Sequence, residues 1–319
     1  MGPAPAEATL ARGYNPATPS LGAGKGPNEV RYSFRDGRPV AEPFAGLERG
    51  RSHMPAISPS DRPVANRLVF LGHSTVLVEM AGTRLLTDPV LGHVLRSLRR
   101  RAEAVPAAHL ADVDAIFISH GHYDHLDLPS LRAIPGRPQV IVPAGLGHVL
   151  QRADLGPVHE VRVGDRLHIG RVDLEIVPAA HGGRRSPWAA ADAIGCLVSA
   201  SSTVYFAGDT DLFPAMETIA GRVDVALLPV GGWGPRLGRG HLDPRRAAEA
   251  AALIQPTIAV PIHWGTLSPI WLHRLFGRRF DAPGPAFAEA AARYAPGVRV
   301  CVLAPGDSID LPDRRVAAA

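Results

Sequence analysis

From residue 66 onward, apolar residues recur at every second position or in short unbroken runs, and each run is closed by glycine, proline, aspartate or serine. Runs of this length between turn formers mark strands, half-buried where they alternate and fully buried where they are continuous. Strands are expected over 67–72, 75–80 and 83–87, the last two joined by a tight Ala81-Gly82 turn. Further strands are expected over 113–119, 139–142, 159–163, 166–169, 172–177, 194–199, 203–207, 223–230, 257–262 and 298–303. Helical spacing falls near 129–134, 146–153, 213–219, 244–254 and 285–294, and an arginine-rich stretch over 90–101 is also expected to be helical. Both halves present strands first and helices after. This order predicts an α/β fold in which two mixed sheets pack face to face with helices outside, one domain with two similar halves. Residues 1–62 hold no sustained period of 2 or 3.6, so an irregular N-terminal extension is expected before a domain over 63–319.

Composition narrows the class. With 46% hydrophobic and 20% charged residues among 319, the chain is ordinary globular material, and its longest apolar runs, 226–230 and 258–262, are far too short for a membrane span. Gly 33 and Pro 31 place many residues in loops, where sites are built. The net charge of +4 comes from cations that are almost all arginine, Lys25 being the lone lysine. Arginine suits phosphate or carboxylate, but a charge of +4 is far from the field of a dedicated nucleic-acid binder. A small, anionic substrate is the expected partner, with no membrane insertion. Cys196 and Cys301 are too few and too separated for a disulfide framework or a cysteine-rich zinc site. No basic stretch followed by an apolar one marks the first 26 residues, so cytoplasmic residence is the default expectation. The unusual number is 14 histidines, more than the 9 phenylalanines.

Four metal-capable side chains fall within six residues, His120-Gly121-His122-Tyr123-Asp124-His125, directly after an apolar strand. Chance alone predicts about 0.003 such motifs in a chain of this composition. In an extended segment, residues two apart point to the same side, so His120 and His122 can grip one ion while Asp124 and His125 face a second position. Imidazole and carboxylate suit zinc and similar divalent ions. His181, Asp209 and His263 each follow the end of a further apolar strand, where a sheet-based site would collect them.

This ordered set resembles the metallo-β-lactamase-fold metal-dependent hydrolases over roughly residues 68–311. A narrower likeness rests on Gly72-His73-Ser74-Thr75, Thr87-Asp88-Pro89, residues 119–127, Gly240-His241-Leu242-Asp243-Pro244 and Pro261-Ile262-His263-Trp264-Gly265-Thr266. These segments look like the branch that contains N-acyl-phosphatidylethanolamine phospholipase D and the ascorbate-6-phosphate lactonases. The resemblance implies two divalent metal ions, zinc first with manganese or iron as alternatives. It assigns His120, His122 and His181 to one ion, Asp124, His125 and His263 to the other, and Asp209 as the bridge. It also implies hydrolysis of a phosphodiester, lactone or other ester by metal-bound hydroxide, with a nuclease acting on RNA or DNA as the alternative. His241 would project into the active site and, with Asp124, serve catalysis.

Two departures from neighbouring families narrow the reaction. His122 stands where the diiron oxygen reductases carry glutamate, which disfavours redox chemistry, and Asp209 stands where the best-known zinc β-lactamases use cysteine. Asp88 has two readings, holding the tautomer of a ligand histidine or simply opening the turn before Pro89. His73 either lines the cleft or packs below it. Trp233, Trp264 and Trp188 are pocket walls or structural plugs. Arg184 and Arg185 follow His181 closely and are candidates for substrate capture, whereas Arg96, Arg99, Arg100 and Arg101 read first as a solvated face.

Overall fold

The computed structural model describes residues 32–35, 38–41, 65–151, 153–181, 191–234, 237–272 and 277–313. The chain divides into two compact units, Met1–Pro55 and Ala56–Ala319. In the first, Tyr32–Arg35 and Arg38–Ala41 pair as an antiparallel hairpin, which corrects the wholly irregular reading of residues 1–62. The signal was the Asp36-Gly37 dipeptide between the two strands, a strong hairpin-turn sequence.

The second unit is an α/β sandwich of two seven-stranded mixed sheets with helices outside. In the first sheet the spatial order is Val158–Val161, Gln139–Pro143, Ala115–Phe117, Thr83–Thr87, Thr75–Met80, Arg67–Gly72 and Ser308–Asp310. The second runs Arg166–Ile169, Val172–Pro178, Ile194–Ser199, Thr203–Phe206, Val225–Pro229, Ile258–Ile262 and Arg299–Val300. Each sheet contains three antiparallel pairings and three parallel ones, on opposite sides of a changeover. The two halves are therefore built alike, although their sequences share no short repeat.

Strand periodicity explains the layering. Val225 and Leu227 join Val76, Phe117, Phe206 and Val260 in the core between the sheets, where Phe117 and Phe206 meet edge to face at 6.0 Å. Ala226 and Leu228 point the other way, under the helices Pro244–Ile254 and Pro283–Tyr294. A strand covered on both faces is apolar at every position, which is why 225–229 reads as a continuous run. The longer helices carry their own start signals. Asp243 caps Pro244–Ile254 by accepting from the Arg246 amide, and proline stands in the first turn of both. Among the described residues no helix is long and apolar enough to cross a membrane.

Residues 90–101 are not helical. Val94–Leu95 and Leu98–Arg100 form a hairpin, with Arg96 at φ 53° in its turn, and Leu267–Pro269 adds a third strand. Leu95, Leu98 and Leu267 bury a small satellite core with Val90. Elsewhere the expected helix over 146–153 contracts to Gly147–Leu150, and that over 213–219 is the 3₁₀ segment Pro214–Ile219.

Candidate metal centre

Seven loops leaving the ends of sheet strands bring the chemistry together. Gly72 leads into His73, Thr87 into Asp88, Phe117 into the His120–His125 motif, Pro178 into His181, Phe206 into Asp209, Pro229 into Trp233 and Ile262 into His263. The ends are tied backbone to backbone: His263 N donates to His73 O at 2.7 Å, and Asp88 N donates to Phe117 O at 2.9 Å. His73, Asp88 and His263 all adopt positive φ, at 56°, 34° and 63°. Such backbone is uncommon outside glycine, persists where its surroundings hold it, and is concentrated at functional sites.

Three overlapping groups could hold ions, His120, His122, His181 and Asp209 in one, His73, Asp124, His125 and His263 in a second, and Asp88 with His120 and His125 in a third, whose Asp88 is already bonded to His125 and Ser119. Outer hydrogen bonds settle which imidazole nitrogens face inward. Asp88 Oδ2 accepts from His125 Nδ1 at 2.6 Å and from Ser119 Oγ at 2.6 Å, while its Oδ1 accepts from Ser119 N at 2.7 Å. With its proton given to Asp88, the Ser119 hydroxyl accepts from His120 Nδ1 at 3.0 Å. His181 Nδ1 donates to Gly240 O at 2.7 Å, and His263 Nδ1 to Gly231 O at 2.8 Å. Each of these four rings thus donates its outer Nδ1–H and turns Nε2 inward.

The inward nitrogens crowd one another. His125 Nε2 and His263 Nε2 lie 3.2 Å apart, and each is 3.2 Å from an oxygen of Asp209. His122 turns Nδ1 toward His120 Nε2 at 2.9 Å and His181 Nε2 at 3.2 Å. Among the described residues, His122 Nε2 and Asp209 Oδ1 are buried without a hydrogen-bond partner. Imidazole nitrogens and carboxylate oxygens that converge at these distances form a donor set that a divalent cation can ligate.

Charge tells the same story. Asp88, Asp124 and Asp209 are 0%, 5% and 1% exposed, and their ion-pairing partners among the described residues are all histidines. Burial lowers the His120 imidazole well below its ordinary value, His122 to about 4 and His181 more modestly, which keeps these rings neutral and ready to ligate. Burial alone would raise Asp124 and Asp209, but His125 beside Asp124, and His263 and His125 beside Asp209, outweigh it and hold both well below the usual carboxylate range. Against its own burial, His125 is raised by Asp209, Asp88 and Asp124. Three buried carboxylates thus press for positive charge at one point. The donor set fits a dinuclear divalent-metal site, with Asp209 placed between the two groups.

Around this centre the remaining candidates separate. His241 stands at its mouth, Nε2 3.3 Å from Asp209 Oδ2 and its ring 4.7 Å from that of His181. Its Nδ1 faces the Gly238 and Arg239 carbonyls at 3.1 and 3.2 Å. His73 is 1% exposed, packs its ring 4.1 Å from that of His263 and places Nε2 3.1 Å from Asp124 Oδ2. Trp233 directs its indole Nε1–H at the same oxygen, at 2.9 Å. Trp264 belongs to the helix layer instead: its indole donates to Pro261 O at 2.9 Å, and its ring lies against Gly284 at the start of the helix Pro283–Tyr294.

The solvated-face reading of residues 96–101 holds only in part. Arg96 and Arg99 are exposed, Arg96 lying 4.9 Å over the Tyr123 ring. Arg100 is 4% exposed and donates to the Leu71, Val90 and Glu103 carbonyls. Arg101 pairs with Asp281 at 2.6 Å and donates to Gly265 O at 2.8 Å. Arg184, Arg185 and Trp188 lie outside the described residues. Sequence reasoning missed Ser119, the carbonyls of Gly231 and Gly240, and the indole contact of Trp233. Ser119 stood next to the motif, but main-chain acceptors leave no mark in a sequence.

Comparison with known proteins places this geometry. The sequence profile of the beta-lactamase superfamily domain matches residues 83–264, more than half of the chain. An uncharacterized protein of Mycobacterium tuberculosis is 31% identical over 287 residues, covering 82% of this chain and 74% of that one. The N-acyl-phosphatidylethanolamine-hydrolyzing phospholipase D 1 of Caenorhabditis elegans is 29% identical over 231 residues, 62% of this chain and 63% of that one. Among solved structures, Igni18, a metallo hydrolase from the archaeon Ignicoccus hospitalis, superposes with a TM-score of 0.59 at 22% identity, over 76% of this chain and 97% of that one, a likeness of fold. Profile, fold and paired metal-binding clusters agree, and the chain belongs to the beta-lactamase superfamily as a metal-dependent hydrolase of the metallo-β-lactamase fold.

Proposed function

We propose that this hydrolase cleaves a phosphodiester, with a lactone or other ester as the neighbouring possibilities, at a pair of zinc ions. His120, His122 and His181 would hold one ion, Asp124, His125 and His263 the other, and Asp209 both. The observation that carries the reading is the opposed pair His125 Nε2 and His263 Nε2, 3.2 Å apart with their outer nitrogens committed to Asp88 and Gly231 O. When bound, two such ions lower the pKa of a shared water and polarise the oxygen of the group under attack.

The chain's own residues would supply the rest. Asp88 fixes the tautomers of His125 directly and of His120 through Ser119, one ring for each ion. His241, in contact with Asp209 at the mouth, is placed to donate to the oxygen on which charge develops or to the leaving group. The phosphodiester reading draws on the nematode relative, an N-acyl-phosphatidylethanolamine-hydrolyzing phospholipase D. The five segments quoted above extend that likeness to the lactonases. Arg100 and Arg101 are occupied with carbonyls and Asp281 and do not favour a nuclease.

A screen of bis-(p-nitrophenyl) phosphate, lactones and thioesters with metal-reconstituted protein tests the reading, with Asp209→Ala as control. Hydrolysis that requires metal and vanishes in the variant supports it. Fewer than two ions per chain after reconstitution, or full activity in Asp209→Ala, overturns it.

A further inference from the structure

Two donors from distant parts of the chain converge on one oxygen. Asp124 Oδ2 lies 2.9 Å from the indole Nε1 of Trp233 and 3.1 Å from His73 Nε2. Asp124 is an ionised carboxylate that can only accept, so the His73 contact requires the proton on Nε2. His73 therefore presents an N–H to Asp124 and has no lone pair there for an ion, even though its ring sits inside the second cluster.

Trp233 is held where it is needed. Its ring packs on the satellite core of Val90, Leu95, Leu98 and Leu267 and lies 6.0 Å from the Tyr123 ring, next in sequence to Asp124. The stretch that carries it also supplies Gly231 O to His263 and Gly240 O to His181. One connection after the strand Val225–Pro229 thus sets the orientation of groups in both clusters.

We infer that Trp233 is a positioning residue for the metal-ligand carboxylate of Asp124, clamping Oδ2 together with His73 so that the carboxylate is aimed before an ion binds. This inference rests on the proposed assignment of Asp124 as a ligand. It replaces the substrate-wall reading of Trp233 with a specific task for the indole N–H, which an aromatic wall does not need. Partners of this kind contribute on the order of 10- to 100-fold in metal affinity.

Trp233→Phe keeps the ring and removes the donor. His73→Gln places an amide N–H near the position of the imidazole Nε2, whereas His73→Ala has none, and both bear the same cost at a positive φ. The affinities of both sites for Zn²⁺ are to be measured by chelator competition on the full chain, with Co²⁺ absorption reporting the ligand field of each site. The expected result is that the wild type binds two ions, that Trp233→Phe and His73→Ala weaken one of them about 10- to 100-fold with a changed Co²⁺ spectrum, and that His73→Gln recovers part of the loss. Wild-type affinity at both sites in Trp233→Phe and His73→Ala overturns the inference while leaving the dinuclear reading intact. Equal weakening at both sites with a lowered melting temperature of the metal-free protein marks a packing defect and also overturns it. Fewer than two ions in the wild type overturns the dinuclear reading, and the inference with it.

Discussion

Asp88 Oδ2 and His125 Nδ1 stand 2.6 Å apart, both side chains wholly buried, and the same oxygen accepts from Ser119 Oγ, which in turn receives His120 Nδ1–H. One carboxylate therefore fixes a histidine in each metal group. In Asp88→Asn the amide oxygen can still accept from Ser119 N, but the amide NH₂ then faces His125 and drives its proton to Nε2, the nitrogen meant for the ion. Metal affinity is expected to fall by about 10- to 100-fold, with the metal-free fold retained by circular dichroism. Unchanged Zn²⁺ affinity in the variant would refute this coupling.

Removing metal leaves the inward nitrogens of His125 and His263 3.2 Å apart and three buried carboxylates with only histidines to balance them. An ion that binds only the folded chain stabilises it by about 4 kcal/mol when present at 1,000 times its Kd. For a domain of this size that is a melting shift of roughly 10 °C. Chelation of reconstituted protein should lower the melting temperature by that order and re-addition of Zn²⁺ should restore it. A melting temperature indifferent to metal would speak against a site built to hold ions.

Gly208 precedes Asp209 at φ +60°, and a Cβ there would come within 2.6 Å of Ser119 Cβ. Alanine meets both the left-handed backbone penalty and the collision, together about 2–4 kcal/mol. Because Ser119 and Asp209 flank the site, the displaced atoms also carry metal ligands with them. Calorimetry of Gly208→Ala with and without Zn²⁺ should show a lower melting temperature and a smaller increment on adding metal. An undiminished increment would show that Asp209 is held independently of its glycine.

What could be read in advance follows from how local each signal is. The motif from His120 to His125 is legible because ligand chemistry and extended spacing coincide in six residues, and the paired sheets are legible because each strand declares itself by period. Trp233 and Asp124, 109 residues apart, meet through folding alone, and the carbonyls of Gly231 and Gly240 have no residue type to betray them. The hairpin around Arg96 reads as helix in the sequence because arginine and leucine are good helix formers. Its strand partner, Leu267–Pro269, lies far along the chain.

Arg100, expected on a solvated helix, is a buried tie. Burial pulls its guanidinium down to about 10, still charged at neutral pH, and it bonds the carbonyls of Val90 at 3.1 Å, Glu103 at 3.0 Å and Leu71. Leu71 O lies two residues before His73, so the tie joins the small hairpin to the strand end that enters the metal centre. Arg100→Met keeps the length of the stem, removes every donor and leaves buried carbonyls unpaired, while relieving the desolvation of the charge. The balance is a loss of about 2 kcal/mol, a drop of roughly 4–8 °C in melting temperature. His73 loses part of its support at the same time, so Zn²⁺ affinity should fall in step with stability, which chelator competition on the same samples would measure. A variant that melts like the wild type would return Arg100 to the surface role its sequence suggested.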